Sequence, residues 1–236
     1  MSDAIVTNND PAIDARTAEL RDEHLRNRRV RIDRMFCWLF LVQWIAGIIG
    51  ALTVSPYAWE GKVHTVHLHV WVAVFGGAGI IILPILLAIF RPGTTLTRHV
   101  IAASQMLSSA LLIHLTGGRI ETHFHVFGSL AFLAFYLDWP VLITATVVVA
   151  ADHFLRGLFW PESVYGVANP EWWRFLEHAG WVAFEDVFLI WSCIMGQREI
   201  AASAARQAQV EQLSEMEQLK SAALEMAMAE MQSASA

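Results

Sequence analysis

Charged residues are scarce in this sequence. Asp, Glu, Lys and Arg make up 16% of its 236 residues, whereas 56% are hydrophobic and the mean hydropathy is +0.44. An average soluble domain is about 25% charged, so this chain lacks the polar residues that would cover a water-facing surface. The composition excludes a fibrous, collagenous or disordered chain and argues against a soluble enzyme. It predicts an integral membrane protein with short polar ends.

Cysteine is scarce as well. Two cysteines, Cys37 and Cys193, make no disulfide framework, and each stands at one end of an apolar run, where we expect it to be a small buried hydrophobe. A nucleic-acid footprint is also missing. The seven arginines between Arg16 and Arg34 are interleaved with acidic residues and border an apolar run, so we expect no nucleic-acid partner.

Six apolar runs reach, or nearly reach, the roughly 20 residues that cross a bilayer. They are residues 35–54, 63–90, 100–116, 120–137, 140–159 and 173–196. We therefore predict an all-α, polytopic protein with six transmembrane helices and the lipid bilayer as its first partner. Its parts are a cytoplasmic basic lead (residues 1–34), a transmembrane domain (35–196) and a cytoplasmic helix (197–236).

Lysine and arginine predict the orientation of these spans. If the N-terminus is cytoplasmic, the inner side holds the seven arginines of the lead and five further residues, 12 in all, the five being Arg91, Arg98, Arg198, Arg206 and Lys220. The outer side then holds four: Lys62, Arg119, Arg156 and Arg174. We expect both termini in the cytoplasm and the protein in a bacterial inner membrane.

Histidine is concentrated at one predicted depth. Eight of the ten histidines map to the outer leaflet: His64, His67, His69, His114, His123, His125, His153 and His178. Ionisable residues inside membranes are costly and usually functional, and imidazole is the commonest metal ligand. We therefore predict that these histidines bind metal. Glu121, Asp152 and Glu177 are candidates for additional ligands or for acceptors that orient the imidazoles.

The spacing of the histidines predicts more than one metal site. His64 and His67, three residues apart, would share a helix face and could chelate one ion. His67 and His69 lie about 200° apart on an ideal helix, as do His123 and His125. These pairs cannot all face one ion unless the ends of their helices are unwound.

The cofactor follows from the ligand type. Three-histidine sites suit copper or zinc, which we expect first, while histidine with carboxylate admits iron. A b-type haem with axial histidine is the main alternative. Glu185 and Asp186 lie in the middle of the last run, where they are either an intramembrane relay for protons or ions or a pair buried within the bundle.

The segment from Gln197 onward has no proline or glycine, which predicts a helix that continues the sixth span. Its apolar positions hold no single heptad register. A parallel two-stranded coiled coil with a stutter and a solvated single helix both remain open. The coiled coil predicts a homodimer formed through the transmembrane helices and this tail.

Three stretches carry a family resemblance: LLIHLTGGRIETHFHVFGSLAFLAFYLDW (Leu111–Trp139), ADHFLRGLFWPESVYG (Ala151–Gly166) and EHAGWVAFED (Glu177–Asp186). They resemble the six-helix N-terminal membrane sensor module found ahead of bacterial histidine kinases and chemoreceptor-type signalling regions. QREIAASAARQAQVEQ (197–212) resembles the connector of those proteins. The resemblance implies a downstream kinase or chemoreceptor-type signalling domain as partner. The sequence has no recognisable phosphoacceptor or ATP-binding region, so we expect either a stand-alone member or a truncated sensor.

These observations favour a signal-transduction sensor without a catalytic output domain of its own. Its histidines would bind transition metal ions, and the state of the metal would be relayed to the cytoplasmic coiled coil. A membrane redox metalloprotein, or a b-type haem protein, is the first alternative. A metal transporter is less favoured, because the polar residues crowd one leaflet and leave little of a path across.

Overall fold

A computed structural model describes residues 11–235, and it is helical almost throughout. The elements are α1 (Pro11–Val54), β1 (Tyr57–Glu60), β2 (Val63–Val66), α2 (Leu68–Trp71), a π-helical turn (Val72–Gly76), α3 (Gly77–Phe90), α4 (Thr95–Leu115), α5 (Ile120–Leu133), a 3-10 turn (Ala134–Tyr136), α6 (Trp139–Phe159), α7 (Glu162–Tyr165) and α8 (Arg174–Ala234). They form two compact units. One is a helix bundle of residues 26–196, and the other joins residues 11–25 with residues 197–235.

Within residues 11–235, four helical segments are long and apolar enough to cross a membrane. They are Pro11–Val54, Leu68–Phe90, Trp139–Phe159 and Arg174–Ala234. The helical fold and the long apolar helices agree with the prediction from sequence. The number of spans stays a prediction, because α4 carries several polar residues and α5 has only 14 residues.

Helix α4 is polar because it lies at the centre of the bundle. It packs against α3, α5 and α6, and its buried face includes Ser104, Gln105 and Ser109. The Gln105 side-chain amide donates to the Ser129 hydroxyl of α5 across 2.8 Å. A helix enclosed by other helices needs no apolar exterior, since its polar groups find partners inside the protein.

The outer surface of the bundle is apolar. Large hydrophobic side chains such as Val42, Phe75, Ile89 and Phe188 are each more than half exposed. Many exposed apolar side chains on one helix bundle are typical of a surface that meets lipid. The core beneath it draws residues from α1, α3, α4, α5, α6 and α8, with Phe36, Ile101 and Leu130 fully buried.

The start of the second apolar run differs from the prediction. Residues 63–66 form strand β2, which pairs antiparallel with β1 from Tyr57↔Val66 to Glu60↔Val63. Gly61, with φ of +62°, opens the two-residue turn between the strands, which is typical of a tight hairpin. The helix begins only at Leu68. The Nδ1 atom of His67 caps this helix by accepting from the backbone N–H of His69 at 3.1 Å.

A buried polar network closes the bundle at the end opposite the N-terminus of α5. Asp33, fully buried in α1, accepts hydrogen bonds from the Tyr136 hydroxyl and the Gly93 backbone N–H, both at 2.6 Å. Arg98 of α4 forms a 2.7 Å ion pair with Asp138. Burial raises the pKa of Asp33, and the two hydrogen bonds oppose this rise.

The second unit is an antiparallel pair of helical segments. Leu20 is buried in a cluster with Ala204 and Ala208, and Arg16 Nε donates to Glu211 at 2.8 Å. Residue numbers rise along one segment as they fall along the other, so the pairing is antiparallel. Beyond this contact the apolar positions of the tail are exposed, among them Leu213, Leu219 and Met226. The predicted coiled coil of two tails therefore stays a prediction.

Candidate functional site

Three of the eight histidines come together from three helices. The ring centroid of His123, on α5, lies 5.5 Å from that of His153 on α6 and 5.2 Å from that of His178 on α8. The centroids of His153 and His178 are 6.1 Å apart. We call these three residues the histidine triad. All three line a cavity of about 60 Å³ whose other walls are mostly apolar, including Val126, Val149 and Val182.

Each ring of the triad is held in the same way. Its Nδ1 atom lies within hydrogen-bond distance of the backbone carbonyl four residues earlier on its own helix. The carbonyls belong to Arg119, Val149 and Arg174, at 2.9, 3.1 and 2.9 Å. Because a carbonyl only accepts, each Nδ1 carries the proton, and in the neutral ring Nε2 keeps its lone pair. The Nε2 atom of His123 is buried and has no partner in the described part of the chain.

The triad is close to the dimensions of a three-histidine metal site without being closed. Among residues 11–235, no three His, Cys, Asp or Glu side chains are assembled tightly enough to hold an ion. Metal–nitrogen bonds of about 2.0–2.1 Å in a tetrahedral site would place the ring centroids roughly 5 Å apart. Two of the three centroid distances, 5.2 and 5.5 Å, are near that value, and the third is 6.1 Å.

The three carboxylates named from the sequence lie in different surroundings. Asp152 accepts from Nε and Nη2 of Arg156 and lies 3.4 Å from Nδ1 of His153. Glu177 lines an open cavity of about 460 Å³ together with His123 and His178. Glu121 is exposed and pairs with its neighbour Arg119 at 3.3 Å. Asp152 and Glu177 therefore adjoin the triad.

A second group contains His67, His69 and His114. The ring of His69 lies 4.4 Å from that of His67 and 4.9 Å from that of His114. His114 also contacts the ring of Trp160 and hydrogen-bonds Ser163 at 2.9 Å. Since Nδ1 of His67 accepts from a backbone N–H, the neutral ring of His67 carries its proton on Nε2. His67 therefore has the opposite tautomer to the three rings of the triad, which all carry the proton on Nδ1.

The prediction that His64 and His67 share a helix face is wrong. His64 lies in strand β2, and its ring packs against Tyr57 at 4.8 Å and Trp59 at 5.0 Å. The hairpin places the residue in a pleated strand, where the three-residue spacing of a helix face does not apply. His64 joins neither group of histidines.

His123 and His125 face different directions, as their spacing on a helix predicts. His125 Nδ1 lies 2.8 Å from the Ser109 hydroxyl, and its Nε2 lies 3.1 Å from the Gln43 amide nitrogen. Both ring nitrogens of His125 are thus engaged away from the triad. Gln43 was not among the residues singled out from the sequence, although it is the lone amide side chain in the first apolar run.

Glu185 and Asp186 lie about two turns beyond His178 along α8. The Thr146 hydroxyl of α6 donates to Asp186 at 2.5 Å. Thr146 also lines the cavity of the triad. Asp186 Oδ1 and Glu185 Oε2 are buried and find no hydrogen-bond partner among the described residues. The structure thus places Asp186 next to the inner wall of the triad cavity, a link through Thr146 that the sequence did not indicate.

The short helix α7 supports both groups of histidines. The ring of Tyr165 lies 5.6 Å from that of His178, and Ser163 joins His114 to Nη1 of Arg156. Burial raises the pKa of Tyr165, so its hydroxyl stays protonated. At the end of α7, the backbone of Gly166 packs so closely against Gly118 that a Cβ atom at residue 118 would overlap it.

Comparison with known proteins relates part of the chain to signal transduction. No protein-family model matches the chain, and no solved structure does. A stretch of 81 residues, 32% of this chain, is 36% identical to the Transducer protein Htr8 of Halobacterium salinarum (strain ATCC 29341 / DSM 671 / R1), and it covers 13% of that protein. Over this stretch the chain is similar to a signal transducer.

Proposed function

We propose that this protein is a membrane-embedded sensor of signal transduction in which the histidine triad binds a transition metal ion. In this proposal six helices cross a bacterial inner membrane, both termini are cytoplasmic, and helix α8 relays the state of the metal to the tail. The similarity to a transducer protein supports the signalling part of the proposal. The geometry of the triad supports the metal.

The observation that carries the metal proposal is the common tautomer of the three rings. Metal-binding histidines usually donate their second ring nitrogen to a carbonyl or carboxylate, which orients the ring and leaves the other nitrogen free to bind. His123, His153 and His178 each donate from Nδ1 in this way. A core histidine satisfied within the bundle would use both nitrogens, as His125 does.

A single ion fits the cavity better than haem. The cavity that all three rings line is about 60 Å³, too small for a porphyrin, whereas the open cavity of about 460 Å³ is lined by only two of the rings. Three imidazole nitrogens with one open position suit zinc or copper, and a nearby carboxylate would admit iron. The open cavity lined by Glu177 gives an ion a route to His123 and His178. The rival redox protein would use the same ligands, and turnover would distinguish it from a sensor.

The relay proposal rests on the continuity of α8. This helix carries His178 near its start and continues without a break to Ala234. A ligand shifts a conformational equilibrium only when it binds two conformations with different affinity. Closing the triad around an ion would draw α8 toward α5 and α6, because His178 must approach His123 and His153. The tail of each protomer in a homodimer would then change its position against its partner.

The metal proposal is tested by elemental analysis of the purified chain. Wild-type protein should retain about one equivalent of Cu, Zn or Fe after dialysis and show no Soret band. His123→Ala and His178→Ala should each lower the metal content at least tenfold, since each removes one of three ligands. His64→Ala is the matched control and should leave the content unchanged. Full metal retention in both triad variants, or equal loss in all three, would overturn the proposal.

The relay is tested separately with spin labels. Ala222→Cys, in a chain whose Cys37 and Cys193 are replaced by Ala, places one label on each tail. Distances between protomers, measured by pulsed EPR, should differ between metal-loaded and metal-free protein, and His178→Ala should abolish the difference. Identical distance distributions in both states would refute the relay while leaving metal binding untouched.

A further inference from the structure

A second cavity lies between α1, α3 and α4, away from the histidine triad. It has a volume of about 130 Å³, and its lining includes Gln43, Gly47, Ala73, Ser108 and His125. Most of the wall is apolar, while Gln43, Ser108 and His125 supply the polar groups. Cavities of about 150 Å³ accommodate a benzene ring. The volume therefore fits one six-membered ring.

The π-helical turn gives this cavity its shape. Trp44 Nε1 donates to the carbonyls of Ala73 and Val74, at 3.1 and 3.0 Å, which the wide turn leaves accessible. A Cβ atom at Gly77 would lie 2.6 Å from the Trp44 ring, so the indole needs the glycine. Single π-helical turns are frequent at functional sites.

The hydrogen-bond directions at the polar end leave one acceptor unused. The Ser109 hydroxyl donates to the Gln105 carbonyl at 3.1 Å, so its oxygen accepts from Nδ1 of His125. Nε2 of His125 then carries a lone pair and accepts from the Gln43 amide. Gln43 Oε1 remains buried without a donor in the part of the chain that the structure describes. The group that completes this site must donate a hydrogen bond.

We propose that this cavity binds the ring of a neutral, hydroxylated six-membered-ring compound, the chemistry of an alkylphenol or a quinol, whose hydroxyl donates to Gln43 Oε1. Among the described residues, none other than His125 brings an acidic or basic group to the lining, so an ionised ligand would be buried without a counter-charge. A quinone offers only acceptors and would leave Gln43 Oε1 unpaired.

The route to this cavity is through the apolar surface. Ala46 lines the cavity and is exposed, and its neighbours Val42 and Ile45 are 62% and 54% exposed. A ring that enters beside Ala46 would leave an alkyl chain among these side chains, in lipid. The ligand is thus one that the membrane itself supplies. This inference is independent of metal binding at the triad.

The test uses two probes that differ only in the donor. Binding of 4-hexylphenol and of 4-hexylanisole, its methyl ether, is measured by calorimetry on the full chain in phosphatidylcholine nanodiscs, with empty nanodiscs subtracted. The phenol should bind about tenfold more tightly, which corresponds to one hydrogen bond to a buried acceptor. Gln43→Leu should remove this preference. Ala46→Trp should weaken both probes, whereas Val147→Trp, on the exposed surface of α6 away from this cavity, should affect neither.

Several outcomes would overturn the inference. Equal affinity of the two probes for wild-type protein removes the donor argument, and tighter binding of hexyl-1,4-benzoquinone than of the phenol reverses it. Phenol binding that survives both Gln43→Leu and Ala46→Trp places the ligand elsewhere. If Gln43→Leu does not fold, Ala46→Trp and the probe comparison decide the matter, because residue 46 is exposed.

Discussion

Gly118→Ala should destabilise the bundle strongly, because position 118 has no room for a side chain. Gly118 follows α4 with φ of +71°, a conformation that costs alanine about 1–2 kcal/mol. Its Cβ would overlap the amide nitrogen of Gly166 and lie 2.9 Å from the carbonyl of Val164. Backbone atoms cannot rotate aside as a flexible side chain does. Adding about 1–3 kcal/mol for overpacking gives a loss of about 2–5 kcal/mol in all.

The same change should reach the histidines through α7. Displacing Gly166 moves Tyr165 and Ser163, which contact His178 and His114. If the triad holds metal, its affinity should fall together with the stability. The loss of affinity would be smaller than that caused by removing a ligand, because all three imidazoles remain.

Thermal unfolding in detergent measures the effect, and Gly128→Ala is the matched control. A loss of 1 kcal/mol lowers Tm by about 2–4 °C in a chain of this size, so Gly118→Ala should lower it by roughly 4–20 °C. Gly128 lies inside α5 with no atom within 4 Å of its would-be Cβ. Alanine there should be neutral or stabilising by up to about 1 kcal/mol. Unfolding of Gly118→Ala at the wild-type temperature would contradict this prediction.

The sequence predicted the helices well because hydropathy is a local signal. Each of the six apolar runs is helical over most of its length. The hairpin before α2 was missed because its strands have only four residues each and merge with the apolar run that follows. The central position of α4 could not be read from the sequence either. The polar side chains of α4 are buried against other helices, and which helices surround a segment depends on tertiary packing and not on that segment's own sequence.

Only those features of the candidate site that depend on a single helix, such as the directions of neighbouring side chains, could be predicted from the sequence. The opposite directions of His123 and His125 follow from the helical repeat, and the structure agrees. The meeting of His123, His153 and His178 depends on how three helices pack. The sequence therefore predicted that the histidines lie at one depth, but not how they divide into groups. His64 was misplaced for the same reason as the hairpin. The separate cavity beside Gln43 needed both the π-helical turn and the packing of α1 against α3.

Two further predictions concern titratable contacts at the other end of the bundle and in the second unit. Tyr136→Phe removes one of the two donors to Asp33, a loss of about 1.5–3 kcal/mol when the carboxylate is ionised. Burial raises the pKa of Asp33 in the folded protein, so the folded state loses stability as pH rises through that pKa and the carboxylate ionises. The hydrogen bond from Tyr136 reduces this loss of stability. The variant should therefore lower Tm more at pH 9 than at pH 4, and an equal drop at both would contradict the network. In the second unit, the hydrogen bond from Arg16 lowers the pKa of Glu211, so this contact is present at neutral pH and is lost as pH falls through the lowered pKa. Glu211→Gln should therefore speed amide exchange in residues 11–25 relative to wild type at pH 7 but not at pH 3. A ratio that is the same at the two pH values would show that Leu20 alone holds the segment.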